Sequence, residues 1–376
     1  MRMFQVIDIS FNYKNILHAH SHIALLGWVY TALTTLIYKL FLSEKQLEKK
    51  YKILFWSTQI SIIGMLLTFP FTGYALISII FSTLFLLNSY GFIWLFLKHT
   101  TSDQKQLNSY KIIRASLWFM VLSSIGPWVL GVIMNTLGST SSWYRNAIYF
   151  YLHFQYNGWF LVAIIGILFS FFEKYSVSIS KKQFTLFYRL FISGVFLTFF
   201  LSVLWMKPNI LFYMFSGLGG IFQLIAFGVL GKMALQNSKL LKSSLSKFEG
   251  DLLKMVGVLF IVKLLFQLIG AFPSIAEIIS INIDFVIGYL HWIFLGVVSI
   301  SLFVFLKHFK LMKLSKTSYF IYLIAFFLTE GLLFYKGLVV WQGFTLAKNY
   351  YLLLFLVSAV FLVAIAGMLF LKKQNK

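Results

Sequence analysis

Eleven stretches of about 20 residues, the length a helix needs to cross roughly 30 Å of hydrocarbon, run through this chain with few or no charges in any of them. They fall at 16–42, 51–68, 72–97, 111–137, 147–172, 184–206, 209–235, 251–272, 283–306, 317–340 and 350–371. The breaks between them hold helix-ending residues: Pro70 to Gly73, Gly138 to Ser142, Lys207-Pro208-Asn209 and Pro273-Ser274. Gly126-Pro127 lies inside the fourth stretch and is expected to kink it, which membranes tolerate where neighbours satisfy the freed carbonyls. Hydrophobic residues make up 60% and charged residues 11% of the chain, against about 45–50% and 25% in soluble domains, so no water-soluble core could use this much apolar surface. The fold class implied is all-α, a polytopic membrane helix bundle of about eleven transmembrane helices, with residues 1–376 forming a single integral membrane domain and no soluble domain. Residues 1–15 are mixed and polar, and no small-residue cleavage site follows the first apolar run, so that run is expected to be retained as a span.

The formal charge of +22 would suggest nucleic acid in a soluble protein. Here the lysines occupy short loops between apolar segments, as topology signals do, so membrane lipid is the expected partner and nucleic acid is not. Alternate loops differ sharply. One side carries 25 of the 32 basic residues, including Lys45, Lys49, Lys50, Lys105, Lys181, Lys182, Lys239, Lys310 and the tail at Lys372; the other carries only Arg2, Lys14, Arg145, Lys207 and Lys348, while Lys263 and Lys336 lie within spans. The positive-inside rule puts the N-terminus outside and the C-terminus inside. With no cysteine in the chain, disulfides, thiolate metal sites and iron–sulfur clusters are excluded, and any metal must rest on His, Met or carboxylate.

Of seven histidines, His99 and His308 sit in basic loops and read as solvated. The other five are His18, His20 and His22 at the start of the first span, His153 early in the fifth and His291 partway into the ninth, all in the outer half of spans running inward. Three of them share a local pattern: His22-Ile-Ala-Leu-Leu-Gly27-Trp28, His153-Phe-Gln-Tyr-Asn-Gly158-Trp159 and His291-Trp-Ile-Phe-Leu-Gly296. Each glycine follows five residues after its histidine and each pattern recurs four spans on, a candidate repeat of four-helix units. An imidazole in hydrocarbon needs a partner, and a nearby glycine leaves room for a flat macrocycle or a closely packed helix. The simpler role of each is a hydrogen bond to a neighbouring helix and a glycine packing contact; five histidines in one leaflet favour a site. His18 and His22, one turn apart, share a helix face, whereas His20 points elsewhere, so the three cannot all meet one ligand.

His20-Ser21-His22-Ile23-Ala24-Leu25-Leu26-Gly27-Trp28 resembles the HAHLNLLGW segment in relatives of haem-copper oxidase subunit I. That family has twelve helices in three four-helix arcs, with haems toward the outer face; losing its first helix leaves eleven with the N-terminus outside. The resemblance implies that His22 is an axial ligand of a low-spin haem, that His291 is the opposing or neighbouring ligand, and that His153 matches a histidine of the copper site. The family's adjacent histidine pair on its seventh helix has no counterpart in 184–206, and Tyr289 stands where a second histidine precedes His291. What it implies is therefore a haem protein, b-type, without complete oxygen reduction, as in the distant NnrS-type membrane proteins, serving electron transfer, respiratory support or gas and redox sensing in a bacterial cytoplasmic membrane, with respiratory-chain subunits or a redox donor as partners. Candidate cofactor-binding residues are His18, His22 and His291. Candidate ligands of a metal, including a second ion such as copper or iron, are His20, His22, His153 and His291.

Lys263 and Glu330 lie deep in the eighth and tenth spans, where pairing would lower the cost of each charge and a proton path through Glu330 is the alternative. Arg145, Lys336 and Lys348, with Trp143 and Trp341, are placed near the outer surface, suited to haem propionates or to interfacial anchoring. No phosphate loop, nucleophile elbow or HExxH motif is present. Alternatives in other classes are a transporter or metal-handling protein using the histidine cluster, and an accessory subunit without cofactor. The absence of native cysteine makes topology directly measurable: single cysteines placed at Ser141 and at Ser243 are expected to react with a membrane-impermeant maleimide in intact cells at the first position only, and the reverse pattern would invert the orientation.

Overall fold

The computed structural model describes residues 1–370, and every regular element among them is helical. Eleven helices are long and apolar enough to span: α1 Tyr13–Phe41, α2 Glu48–Thr72, α3 Leu76–His99, α4 Asn108–Thr136, α5 Ser142–Lys174, α6 Lys181–Met206, α7 Ile210–Gln236, α8 Lys247–Gly270, α9 Ile283–His308, α10 Lys316–Trp341 and α11 Tyr350–Leu369. This is a polytopic helical membrane protein, matching the expected segments to within a few residues. Local chemistry sets the ends. Ser180 with Gln183 and Ser246 with Glu249 form reciprocal capping boxes that satisfy the first amides of α6 and α8. Helix α2 runs through Pro70 and stops at Gly73, whose φ of +59° turns the chain. Helix α4 likewise continues through Pro127 to Thr136. An additional short helix, Pro273–Ile281, lies between α8 and α9, with its proline at the first position where the missing N–H is harmless.

Packing resolves two compact units that interleave in sequence. One comprises Met1–Ala32, Ser57–Phe85 and Ile281–Lys376; the other comprises Leu33–Trp56 and Leu86–Ser280. Within the second, α4 and α5 approach closely at glycines: a Cβ on Gly158 would stand 2.7 Å from Phe119, and one on Gly126 would stand 2.7 Å from Tyr151. Within the first, α9 and α10 are held in antiparallel register by the Asn282 side chain donating to the Gly337 carbonyl at 2.8 Å and by Lys336 paired with Asp284 at 2.9 Å. Tyr350 at the head of α11 donates to the Leu332 carbonyl of α10 at 2.9 Å. The N-terminal turn, Arg2–Gln5, packs against α11 in the same unit. Leu67, Val132, Leu362 and many other large apolar side chains are exposed, as surfaces meeting lipid must be.

Burial is distributed unevenly. In the apolar stretch of α5, 89% of residues are buried, with 67% in α9 and 50% in α1, against 39% or less in each of the other eight helices. The helices carrying His22, His153 and His291 therefore have the largest buried shares, and each departs from α geometry at the same point. A π-helical segment begins directly after the histidine in every case: Ile23–Tyr30 after His22, Phe154–Phe160 after His153, and Trp292–Val298 after His291. Among the described residues π geometry occurs nowhere else. The five-residue interval from histidine to glycine is the hydrogen-bonding step of such a turn.

Introducing a methyl group at Gly158 should cost on the order of 1–3 kcal/mol, because Phe119 cannot withdraw from a packed interface. Gly131, which has nothing within 4 Å of an added Cβ, should accept alanine with the melting temperature in detergent unchanged or slightly raised. Equal melting temperatures for Gly158→Ala and the parent would contradict this packing.

Candidate functional site

His22 and His291 are built alike. The Nδ1 of His22 bonds the His18 carbonyl one turn back at 2.8 Å, and the Nδ1 of His291 bonds the Ile287 carbonyl at 2.8 Å. A carbonyl can only accept, so Nδ1 carries the proton in both rings and the Nε2 lone pair is free. Neither Nε2 makes a protein hydrogen bond, and both rings retain some accessible surface despite their depth in the helices. The His22 ring stacks on the fully buried Phe69, centroids 4.5 Å apart at 27°, with the edge of Tyr74 at 6.0 Å. His18 meets the same two aromatics, with Tyr74 at 4.8 Å, so the shared face expected for His18 and His22 is observed. Beyond ordering the His22 ring through its backbone carbonyl, His18 also accepts a bond from the Ser21 hydroxyl. His20 is exposed and lies within electrostatic range of Arg2.

The helices carrying these imidazoles touch. The Trp28 indole N–H of α1 donates to the Ser299 hydroxyl of α9 at 2.9 Å, and its ring lies against Phe303 at 5.4 Å. At about 1.5 Å per residue, His22 stands roughly 9 Å and His291 roughly 12 Å along their axes from that junction, on the same side of it. Below His291, the Tyr322 hydroxyl of α10 donates to the Leu295 carbonyl at 2.8 Å, satisfying an acceptor within the π segment.

His153 is different. Its Nε2 faces the Val195 carbonyl of α6 at 2.8 Å and its Nδ1 faces the Asn157 amide nitrogen at 3.2 Å. The ring donates through one nitrogen and accepts through the other, leaving no lone pair free. Gly158 is likewise filled by Phe119. Thus one of the three related histidines joins helices while two present a free nitrogen, a distinction of hydrogen-bond partner that their shared motif did not contain. Among the described residues no group of three or more His, Cys, Asp or Glu side chains is placed to hold a metal ion.

The charged groups also fall out differently from expectation. Lys263 donates to Gln267 at 2.6 Å on its own helix, and no protein group hydrogen-bonds either carboxyl oxygen of Glu330; the two do not form a pair. Lys336 is held by Asp284, and Arg145 lies 4.1 Å from the Trp205 ring centroid while donating to the Tyr149 hydroxyl. The cation within electrostatic range of His291 is Arg2, which is also in range of Glu330, Asp284, Tyr13 and Tyr350. Burial lowers its guanidinium below the ordinary arginine value, and those acidic groups pull it back up. Arg2 was legible only as one of five basic residues on the sparse side; its place beside the histidines depends on how the N-terminal turn folds onto α11.

No family model matches the chain, and no curated protein matches it. The class defined by the fold is a multi-pass helical membrane protein, and the candidate site is a pair of imidazoles on adjoining helices. His153→Ala should lower thermal stability in detergent by on the order of 1–3 kcal/mol, because it removes the side-chain bond between α5 and the Val195 carbonyl of α6 and leaves the buried Asn157 amide without its imidazole partner. An unchanged melting temperature would remove the helix-joining role.

Proposed function

We propose that this chain is a haem-binding protein of a bacterial cytoplasmic membrane, related to haem-copper oxidase subunit I, with His22 and His291 as the axial ligands. The observation that carries the reading is the matched pair of Nδ1–carbonyl bonds, which leave two free Nε2 atoms on helices joined by Trp28 and Ser299. A bond of that kind fixes the tautomer and orientation of a ligating histidine and raises its basicity. Phe69 and Tyr74 supply flat apolar walls on the His22 side, and Arg2 supplies positive charge toward the outer end, suited to carboxylate side chains of a cofactor. When bound, a haem held by two imidazoles supplies one-electron redox chemistry.

Three four-helix arcs are the arrangement this reading carries. The recurrence of histidine, π segment and glycine in α1, α5 and α9 supports it, and the lysine-rich alternate loops support an outside N-terminus and inside C-terminus. The role is electron transfer, respiratory support or gas and redox sensing, with a redox donor or respiratory subunit as partner. Complete oxygen reduction is disfavoured because His153, the match to the copper ligand, commits both nitrogens to Val195 and Asn157. A transition-metal transporter would be better served by three or more converging ligands than by this pair.

Protein purified from haem-replete cells is expected to show a Soret band and a b-type pyridine haemochrome. His22→Ala and His291→Ala should each lose the bis-histidine reduced-minus-oxidised signature, and His153→Ala should keep it. No Soret band in the wild type would discard the reading.

A further inference from the structure

Where α7 begins and α8 ends, on the side whose loops carry few basic residues, the second unit holds an open cleft of about 350 Å³, at the small end of the range for ligand sites. Lys207, Tyr213, Pro273, Ser274 and Glu277 are among its lining residues, and Lys207 and Glu277 pair at 2.6 Å. The cleft is thus neutral overall while offering a charge of each sign. Both side chains are mostly exposed, and an ion pair in that setting adds little stability, so its two charges can exchange partners at small cost. Below the cleft the two helices form a tight antiparallel seam. A Cβ on Gly217 would meet Ala271 at 3.8 Å, one on Gly220 would meet Leu268 at 3.4 Å, and further down Phe227 stacks on Phe260 at 5.1 Å. Each seam position is followed in sequence by an exposed apolar one: Leu218 and Ile221 on α7, Ile261 and Ile269 on α8. One residue turns a helix by about 100°, and in antiparallel helices equal turns away from a shared seam bring both sets onto the same face. From the cleft inward that face continues as Met214, Leu218, Ile221 and Ile225 on α7, and as Phe272, Ile269, Leu265 and Ile261 on α8. Each stripe runs about 16 Å, roughly half the 30 Å thickness of the hydrocarbon.

We propose that the cleft and the face below it form a site for one phospholipid with a primary ammonium headgroup. Lys207 takes the phosphate, Glu277 takes the ammonium, and the two acyl chains lie along the stripes of α7 and α8. The inference is independent of the haem reading. Charge complementarity selects the headgroup. An anionic headgroup without an ammonium sets negative charge beside Glu277 and leaves that carboxylate unpaired, and a quaternary ammonium has no N–H to donate to it. Ser274, in the same lining, offers a hydroxyl to the phosphate. The stripes select a lipid over a soluble zwitterion, because their length is that of chains crossing a single leaflet and the apolar area they cover adds to the two charge contacts.

The test is a lipid titration of the full-length protein in detergent, read by native mass spectrometry, with dioleoyl phosphatidylethanolamine, phosphatidylcholine and phosphatidylglycerol, which share their chains and differ in headgroup. The first ethanolamine lipid should bind about tenfold more tightly than either of the others, the effect of one charge-assisted contact. Lys207→Gln should weaken that binding about tenfold, and Glu277→Gln should abolish the preference over the glycerol lipid. Both residues are exposed and lie outside the spans, so both variants should accumulate as the parent does. Glycerophosphoethanolamine, the same headgroup without chains, should not displace the bound lipid even in large excess. Equal affinity for the three lipids, or a preference that survives Glu277→Gln, overturns the proposal and leaves only non-selective lipid around the bundle. Displacement by glycerophosphoethanolamine overturns the lipid and assigns the cleft to a soluble zwitterion.

Discussion

Inside hydrocarbon a peptide group that leaves its helix has no water to bond, and this chain obeys that constraint in where it abandons α geometry. Its three π segments lie in α1, α5 and α9, the helices with the largest buried share. A widened turn on a lipid-facing helix would leave backbone groups unsatisfied. In α9 a neighbouring helix supplies such a partner, the Tyr322 hydroxyl donating to the Leu295 carbonyl. The burial of these three helices and the irregularity next to each histidine thus depend on one another.

The same motif then diverges through its partners. After His153 the helix is pressed against its neighbours, Phe119 fills the notch at Gly158, and Asn157 and Val195 occupy both ring nitrogens. After His22 and His291 each ring is steadied by its own helix and keeps a nitrogen in reserve. A histidine that bonds its own backbone can be held precisely without using its ligating atom, whereas one that bonds a side chain of its own helix through one nitrogen and another helix through the other contributes cohesion instead.

Span number and approximate limits were legible because apolar length is a signal confined to single segments; the histidine–glycine interval of five was legible as a recurring pattern, but the π turns that accompany it were not. Whether a nitrogen is free was not legible. It depends on the Val195 carbonyl, 42 positions from His153, and on a helix-internal bond that any mid-helix histidine could make. The partner of Lys263 was open for a related reason: cost in hydrocarbon says that a charge needs relief without saying from where, and Gln267, one turn away, supplies it locally. Arg2 was obscure because nothing in a short polar N-terminal stretch indicates that it folds back over α11.

Trp28 and Ser299 are 271 positions apart, yet their bond joins the two helices that carry the free imidazoles. The unit containing them is assembled from three separate parts of the chain, the last beginning at Ile281. During synthesis, the first imidazole must therefore wait while eight spans are made before its counterpart arrives. A contact of this kind is completed late, so its formation reports on whether the chain has been built and inserted as far as α9, and truncation upstream of α9 would leave Trp28 without Ser299.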